Sequence, residues 1–315
     1  MQIFFKGGIM MRLATQTSYT ASFFGLRQAV EMISAAGFDS VDFSMFCMSD
    51  SDCILNTNQY LGYVKRLKAI TRQNDISFSQ AHAPFNFPIV FGEDLFMKTV
   101  RLRVERAIEI ASILEIPLLV VHPLQFRPFY KKKNQKYFRE FNKEYFSELM
   151  PLCEKAGVTI ACENVWKTRG KKSKKHIIDG ACSDPVEFKE LIDAVDNKYF
   201  TGCLDLGHCG LTGRTAQDCI RQIGGDYISA LHVHDNDFVS DLHTAPGYGK
   251  MDWNEIAKAL ADIDYDGDFT FEADEFLRPF RHDRESAFRA LQLLESIGRN
   301  IIGKIENYKN QNIIL

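Results

Sequence analysis

Short β-rich runs alternate with longer amphipathic runs eight times along this chain, and that rhythm restricts its fold more than any single motif does. The strand-like runs are RLATQTS (from Arg12), SVDFSM (from Ser40), SFSQAHA (from Ser77), LLVVHP (from Leu118), TIACEN (from Thr159), FTGCLDLGH (from Phe200), ISALHVHD (from Ile228) and DFTFEA (from Asp268). Helix-period runs follow them, starting near Phe24, Asn58, Leu95, Phe138, Ser183, Thr215, Asp252 and Arg284. Gly37 and Gly157 supply stops, Pro151 marks a kink or break, and Ser183-Asp-Pro opens a helix with a cap and a first-turn proline. Strands apolar on both faces suit a parallel sheet. Eight consecutive strand–helix units predict an α/β fold, a single (β/α)8 TIM barrel over 1–315, with 1–10 as an irregular leader. The rival is a doubly wound open sheet, which usually stops at fewer strands; here the first turn also lacks its GxGxxG fingerprint.

A length of 315 residues suits one large barrel or two smaller domains, so length alone does not choose. Net charge of -3 argues against a nucleic-acid field over the whole molecule. It leaves room for local basic loops, and two inserts carry them: 125–137 with Lys131–Lys133, and 167–180 with the run Arg169–Lys175. The eight cysteines form no CxxC pair and read as free, buried thiols of a cytoplasmic protein. No run approaches the roughly 18 apolar residues of a membrane span.

Acids and imidazoles recur at one register. His82 ends the third strand, His122 the fourth, Glu163 the fifth, Asp205 and His208 the sixth, His234 and Asp235 the seventh, and Glu272 the eighth. In a parallel barrel these ends share a rim. Carboxylates gathered there repel one another, and a divalent cation relieves that. Mixed carboxylate and imidazole donors suit Zn2+ or Mn2+, with Mg2+ or Co2+ as alternatives. Each residue also has an ordinary structural reading, as a hydrogen-bonded histidine, a salt-bridged glutamate, or, for Asp241 and His243, a salt-bridged surface loop. We expect His234 to face the pocket and His232 to pack against a helix. Gly247 and Gly249 let the intervening loop turn tightly, and Asp252 caps the seventh helix. Phe23, Phe24, Phe85 and Trp166 are candidates for an apolar wall, or are ordinary packing residues.

AHAPF, VVHP, ACENVW, CLDLGH, HVHDND, DLHTAPGYGKMDW and FEADEF, in this order, resemble the xylose isomerase-like TIM barrels over nearly the whole chain. That superfamily holds sugar and sugar-phosphate isomerases and epimerases, inosose-processing enzymes and metal-dependent apurinic/apyrimidinic (AP) endonucleases. The resemblance implies a divalent-metal-dependent isomerase or epimerase, working by proton transfer through a metal-stabilised enediolate. Its ion is held by Glu163, Asp205, His234 and Glu272; Glu163 and Glu272 move protons, and His208, with His82 and Trp166, meets a sugar or sugar phosphate. The endonuclease branch implies more zinc ions, on His82, His122, His208, Asp241 and His243 in addition, with DNA as partner. An inosose-type dehydratase is a further alternative, and barrels of this type often pair as homo-oligomers.

Overall fold

A computed structural model describes residues 11–85, 94–125, 132–169 and 176–312. The leader at 1–10, most of the loop after His82, and the centres of both basic inserts lie outside the described residues.

In chain order the strands are β1 (Leu13–Gln16), β2 (Ser40–Ser44), β3 (Ser77–His82), β4 (Leu118–Val121), β5 (Thr159–Glu163), β6 (Trp166–Arg169), β7 (His176–Asp179), β8 (Phe200–Asp205), β9 (Ile228–His232) and β10 (Phe269–Phe271). Eight of them form one parallel sheet in the order β10-β1-β2-β3-β4-β5-β8-β9. The ring closes between its two ends: the Val233 N–H donates to the Thr270 carbonyl at 2.9 Å, and the Glu272 N–H donates to the Val233 carbonyl at 3.0 Å. This is the TIM barrel that the strand–helix rhythm predicts.

Outside the sheet lie α2 (Leu26–Ala36), α3 (Tyr60–Gln73), α4 (Asp94–Leu114), α5 (Lys132–Ala156), α6 (Pro185–Val195), α8 (Ala216–Ile223), α9 (Trp253–Asp262) and α11 (Arg284–Asn312). The short helices α1 (Ser18–Phe24), α7 (Leu206–Leu211) and α10 (Asp274–Leu277) follow strand ends directly. No helix among the described residues is long and apolar enough to cross a membrane.

Strand alternation sorts the side chains. Val120, Ala161, Cys203 and Ala230 meet in a small interior cluster. Their neighbours Leu119, Ile160, Leu204 and Leu231 join the large core under the helices. Two residues beyond each interior position come His122, Glu163, Asp205 and His232, so the same parity that packs the barrel points these groups inward. Two register slips adjust the aim. β8 and β9 slip between Gly202 and Cys203, which sets Asp205 opposite His232. β2 and β3 slip between Val41 and Asp42, which sets Asp42 opposite Gln80. Such bulges re-aim side chains beside functional sites.

Several expectations are corrected. Helix α5 runs through Pro151 without a break, held on both sides of the proline by the buried Phe146, Leu149, Met150 and Cys153. Helix α11 runs through Gly298, which is a packing point: a Cβ there would come within 2.6 Å of Leu13 and 2.8 Å of Phe271. The second insert is not irregular, because β6 and β7 pair in it as an antiparallel hairpin. Cys47 and Cys53 are joined in a disulfide, so not all eight cysteines are free; their spacing of six escapes a search for CxxC. The other six are buried free thiols.

Candidate functional site

The rim histidines are set by their Nδ1 atoms. A carbonyl oxygen can only accept, so a ring nitrogen facing one carries the proton. His82 Nδ1–H donates to the Ala83 carbonyl at 2.7 Å, His208 Nδ1–H to the Asn164 carbonyl at 2.7 Å, and His243 Nδ1–H to the Glu272 carbonyl at 2.9 Å. Each ring then turns Nε2 toward a carboxylate. His82 Nε2 lies 3.2 Å from Glu163, His243 Nε2 lies 3.2 Å from Asp241, and His208 Nε2 lies 3.7 Å from Asp241. A bare nitrogen lone pair facing a carboxylate is repulsive unless a proton or a cation lies between them. Metal-binding histidines are anchored in this way, by the nitrogen not used for ligation.

Glu163, 1% exposed, is at the centre. One oxygen meets His122 Nε2 at 2.9 Å as well as His82; the other lies 3.4 Å from His232 Nδ1 and 3.5 Å from His208 Nδ1. Glu272 lies 3.0 Å from the same His232 Nδ1. Asp205 caps α7 by accepting from the His208 N–H at 2.7 Å and meets His234 Nε2 at 3.1 Å. Asn164 fixes that strand end: its Oδ1 accepts the Asp205 N–H at 2.6 Å, and its Nδ2 donates to the Asp205 carbonyl at 3.0 Å.

Three carboxylates buried together with imidazole partners must share protons or a cation. Burial alone would raise the pKa of Glu163, but His122 and His232 outweigh it and hold the carboxyl well below its usual range. Glu272 is held low against burial by His232 and His243. Burial opposes a charged ring at His208, yet Asp205 and Asp241 push it up to about 10. The donor atoms also gather within ion-sized spaces. Glu163, Asp205, His232 and Glu272 have ligand atoms within 4.8 Å of one another, as do His208, His234, Asp241 and His243, and His82, His122 and Glu163. Both ring nitrogens of His232, Nδ1 of His234 and Oδ1 of Asp241 have no hydrogen-bond partner. Unpartnered buried donor atoms of this kind fit a bound divalent cation.

His232 has a ring nitrogen within 4.8 Å of ligand atoms of Glu163, Asp205 and Glu272, while His234 Nε2 meets Asp205 at 3.1 Å. Residues two apart on a strand share a face, so His232 points inward with Ala230 and does not pack against a helix. His234 lies beyond the last ladder residue of β9. Its ring stacks on His243 at 4.1 Å between centroids. The spacing H-x-H contained this signal.

Beside the clusters opens a cavity of about 390 Å³, whose lining combines His82, His122, Glu163, His208, Asp241, His243 and Glu272 with the apolar Phe85, Val100, Val104, Leu124, Tyr145 and Trp166. Phe23 and Phe24 are not among its lining residues; Phe23 stacks on Tyr19 instead. The Trp166 indole N–H donates to Asp241 at 3.2 Å.

The family model described as "Xylose isomerase-like TIM barrel" matches residues 30–297. This chain belongs to that family. An uncharacterised protein, MJ1311, of Methanocaldococcus jannaschii is 28% identical over 195 residues, 61% of this chain and 62% of the relative. The D-psicose 3-epimerase of Enterocloster bolteae is 27% identical over 120 residues, 38% of this chain and 35% of that enzyme. The chain thus matches less than two thirds of the length of either relative. A crystal structure of the IOLI protein with a bound zinc atom superposes with a TM-score of 0.71 at 19% identity, covering 94% of this chain and 99% of that one, a likeness of fold.

In this member of the family Asp235 is turned away from the cavity. Its carboxylate accepts from the Asn236 N–H at 2.8 Å, the Gly247 N–H at 2.8 Å, the Met251 N–H at 3.1 Å and the Trp253 indole N–H at 2.9 Å. That latch ties down the loop presenting Asp241 and His243. Gly249 crosses so close that a Cβ would fall 2.3 Å from the Asp235 carboxylate. Asp235→Ala strands four donors, three of them backbone, and is expected to cost about 3 kcal/mol of stability. An unchanged denaturant midpoint would show that the loop stands without its latch.

Proposed function

We propose that this protein is a divalent-metal-dependent sugar or sugar-phosphate isomerase or epimerase. The observation that carries the reading is the convergence of two buried glutamates on His232 Nδ1, at 3.4 and 3.0 Å, at the edge of a cavity lined in part by aromatic side chains. A cation held by Glu163, Asp205, His232 and Glu272 would act as a Lewis acid on a substrate carbonyl and its adjacent hydroxyl. Glu163 and Glu272 are the proton carriers. One carboxylate takes the proton from the carbon next to the carbonyl, and the other returns it to the opposite face. The neighbouring imidazoles hold both carboxylates below their usual range, which keeps them ionised at neutral pH and at the same time lowers their strength as bases. His208 and His82 lie beside Glu163 within reach of substrate hydroxyls, and Phe85 with Trp166 offers faces on which a sugar ring packs. The relationship to a psicose epimerase supports the same chemistry.

A panel of ketoses and ketose phosphates, incubated in D2O with Mn2+- or Zn2+-loaded protein, tests this. One substrate should show inversion or isomerisation with deuterium at the carbon beside the carbonyl; loss of water from a polyol ketone would identify the dehydratase branch. No exchange with any substrate defeats the proposal. A second reading is hydrolysis of a phosphate ester, such as the backbone of abasic DNA, by several zinc ions. It is favoured by the contiguity of these donor sets with a fourth formed by His82, His232 and Glu272. Elemental analysis and a nicking assay separate the two: about one ion per chain and no nicking supports the sugar enzyme, near three with nicking supports the hydrolase.

A further inference from the structure

We propose that Trp166 is a positioning residue for Asp241: its indole N–H holds one carboxylate oxygen and so turns the other toward the set formed with His208, His234 and His243. The inference rests on the reading of the rim donor sets as cation sites and goes beyond it, because Trp166 belongs to none of those sets and only its ring face serves a substrate.

The two oxygens of Asp241 are unlike. Oδ2 accepts from the Trp166 Nε1–H at 3.2 Å and lies 3.2 Å from His243 Nε2 and 3.7 Å from His208 Nε2. Oδ1 is buried, has no hydrogen-bond partner and lies 3.9 Å from His234 Nε2. The three neighbours of Oδ2 differ in kind. An imidazole nitrogen facing a carboxylate carries a proton in one state and a bare lone pair in another, and it gives the proton up when a cation takes its place. An indole N–H is a donor only. Among the described residues it is the one donor to Asp241 that a bound ion leaves in place. A surface on which a sugar packs needs only an aromatic face, so the N–H has a separate use.

The hairpin keeps the indole where it is. Trp166 opens β6 and pairs with Asp179 of β7, and Arg214 donates to Asp179 at 2.6 Å. Arg214 also reaches Asp184 at 3.2 Å and the Thr212 carbonyl at 3.3 Å, directly after α7, the helix that carries His208. The indole and His208 are thereby tied to one another. At the base of the hairpin the Val165 N–H donates to the Ala181 carbonyl at 3.1 Å. Gly180 passes so close there that a Cβ would fall 2.2 Å from the Val165 carbonyl oxygen. Asp241, in contrast, lies on a loop, and two residues on His243 takes a left-handed backbone with φ 42°. An anchor from outside the loop therefore decides which way the carboxylate faces. Hydrogen bonds to ligating carboxylates orient them, and losing one typically costs roughly ten- to a hundredfold in metal affinity.

The test uses Trp166→Phe, Asp241→Ala and the double variant in the full chain, with Zn2+ alone as the probe. Trp166→Phe keeps an aromatic ring in the cavity lining and removes the N–H. Titration calorimetry against a competing chelator identifies the Zn2+ step that Asp241→Ala weakens. Trp166→Phe should weaken the same step roughly ten- to a hundredfold. In the double variant it should add little, because the carboxylate it positions is gone. Equal affinities in wild type and Trp166→Phe overturn the proposal, and so does an undiminished further loss in the double variant, the mark of a merely structural role. The chain has two tryptophans, so wild type alone supplies another check. Both indole N–H signals should be protected from hydrogen exchange, and a freely exchanging one overturns the proposal even if no variant folds. Unaltered Zn2+ binding in Asp241→Ala removes its premise. Wild type that binds no Zn2+ overturns the cation reading of the whole rim, a different outcome from equal binding by wild type and Trp166→Phe.

Discussion

Glu163→Gln and Glu272→Gln are each expected to reduce kcat at least about a hundredfold on the substrate that the ketose panel identifies, the lower end of what a positioned proton carrier contributes. The substitution preserves side-chain shape and removes only the charge and the basic oxygen. Glutamine at 163 can still face His122 and His82, and glutamine at 272 can still accept from His232, so neither change opens a cavity. Stability without metal should fall somewhat, since neighbouring imidazoles hold both carboxylates below their usual range and each change removes a charge that those rings stabilise. Each glutamate belongs to two of the donor sets, the one that both share and one more, Glu163 with His82 and His122 and Glu272 with His82 and His232, so both variants should also lower metal content. The check is kcat beside a melting curve and metal analysis for each protein. A variant with near-normal rates removes its residue from proton transfer, and a variant that unfolds at room temperature shows a structural role in its place.

The barrel was legible because its two periodicities are written separately: alternation in the strands, and a helical stripe with stops such as Gly37 between them. The rim was legible for the same reason, since only strand ends carried acids and imidazoles in register. What the sequence hid depends on register and on long loops. The slips at Val41/Asp42 and Gly202/Cys203 move side chains by one residue, and nothing in SVDFSM or FTGCLDLGH marks them. Asp235 looked like a rim group because it follows His234, whereas its carboxylate faces four N–H donors from its own loop. The β6–β7 hairpin hid in a lysine-rich insert whose charge outweighed the alternation of WKTR and HIID.

Of the two histidines in HVH, removal of His232 should damage metal binding far more than removal of His234. His232→Ala takes away the imidazole that lies 3.0 Å from Glu272 and 3.4 Å from Glu163, leaving Glu163, Asp205 and Glu272 with no nitrogen donor in their own set, while His82 still adjoins both glutamates. The affinity for Zn2+, which favours nitrogen donors, should fall by at least about a hundredfold, and the loss for Mg2+, which is content with oxygen, should be smaller. His234→Ala leaves that four-residue set intact and strikes the neighbouring one, where His208, Asp241 and His243 remain. It should weaken the tightest Zn2+ binding by about tenfold or less, through the lost contact of His234 Nε2 with Asp205 at 3.1 Å. Calorimetry on the two variants decides the order. If His234→Ala proves the more damaging, the tight ion sits one step further out along the strand, between Asp205 and Asp241, and the cavity would then present its substrate to a different pair of carboxylates.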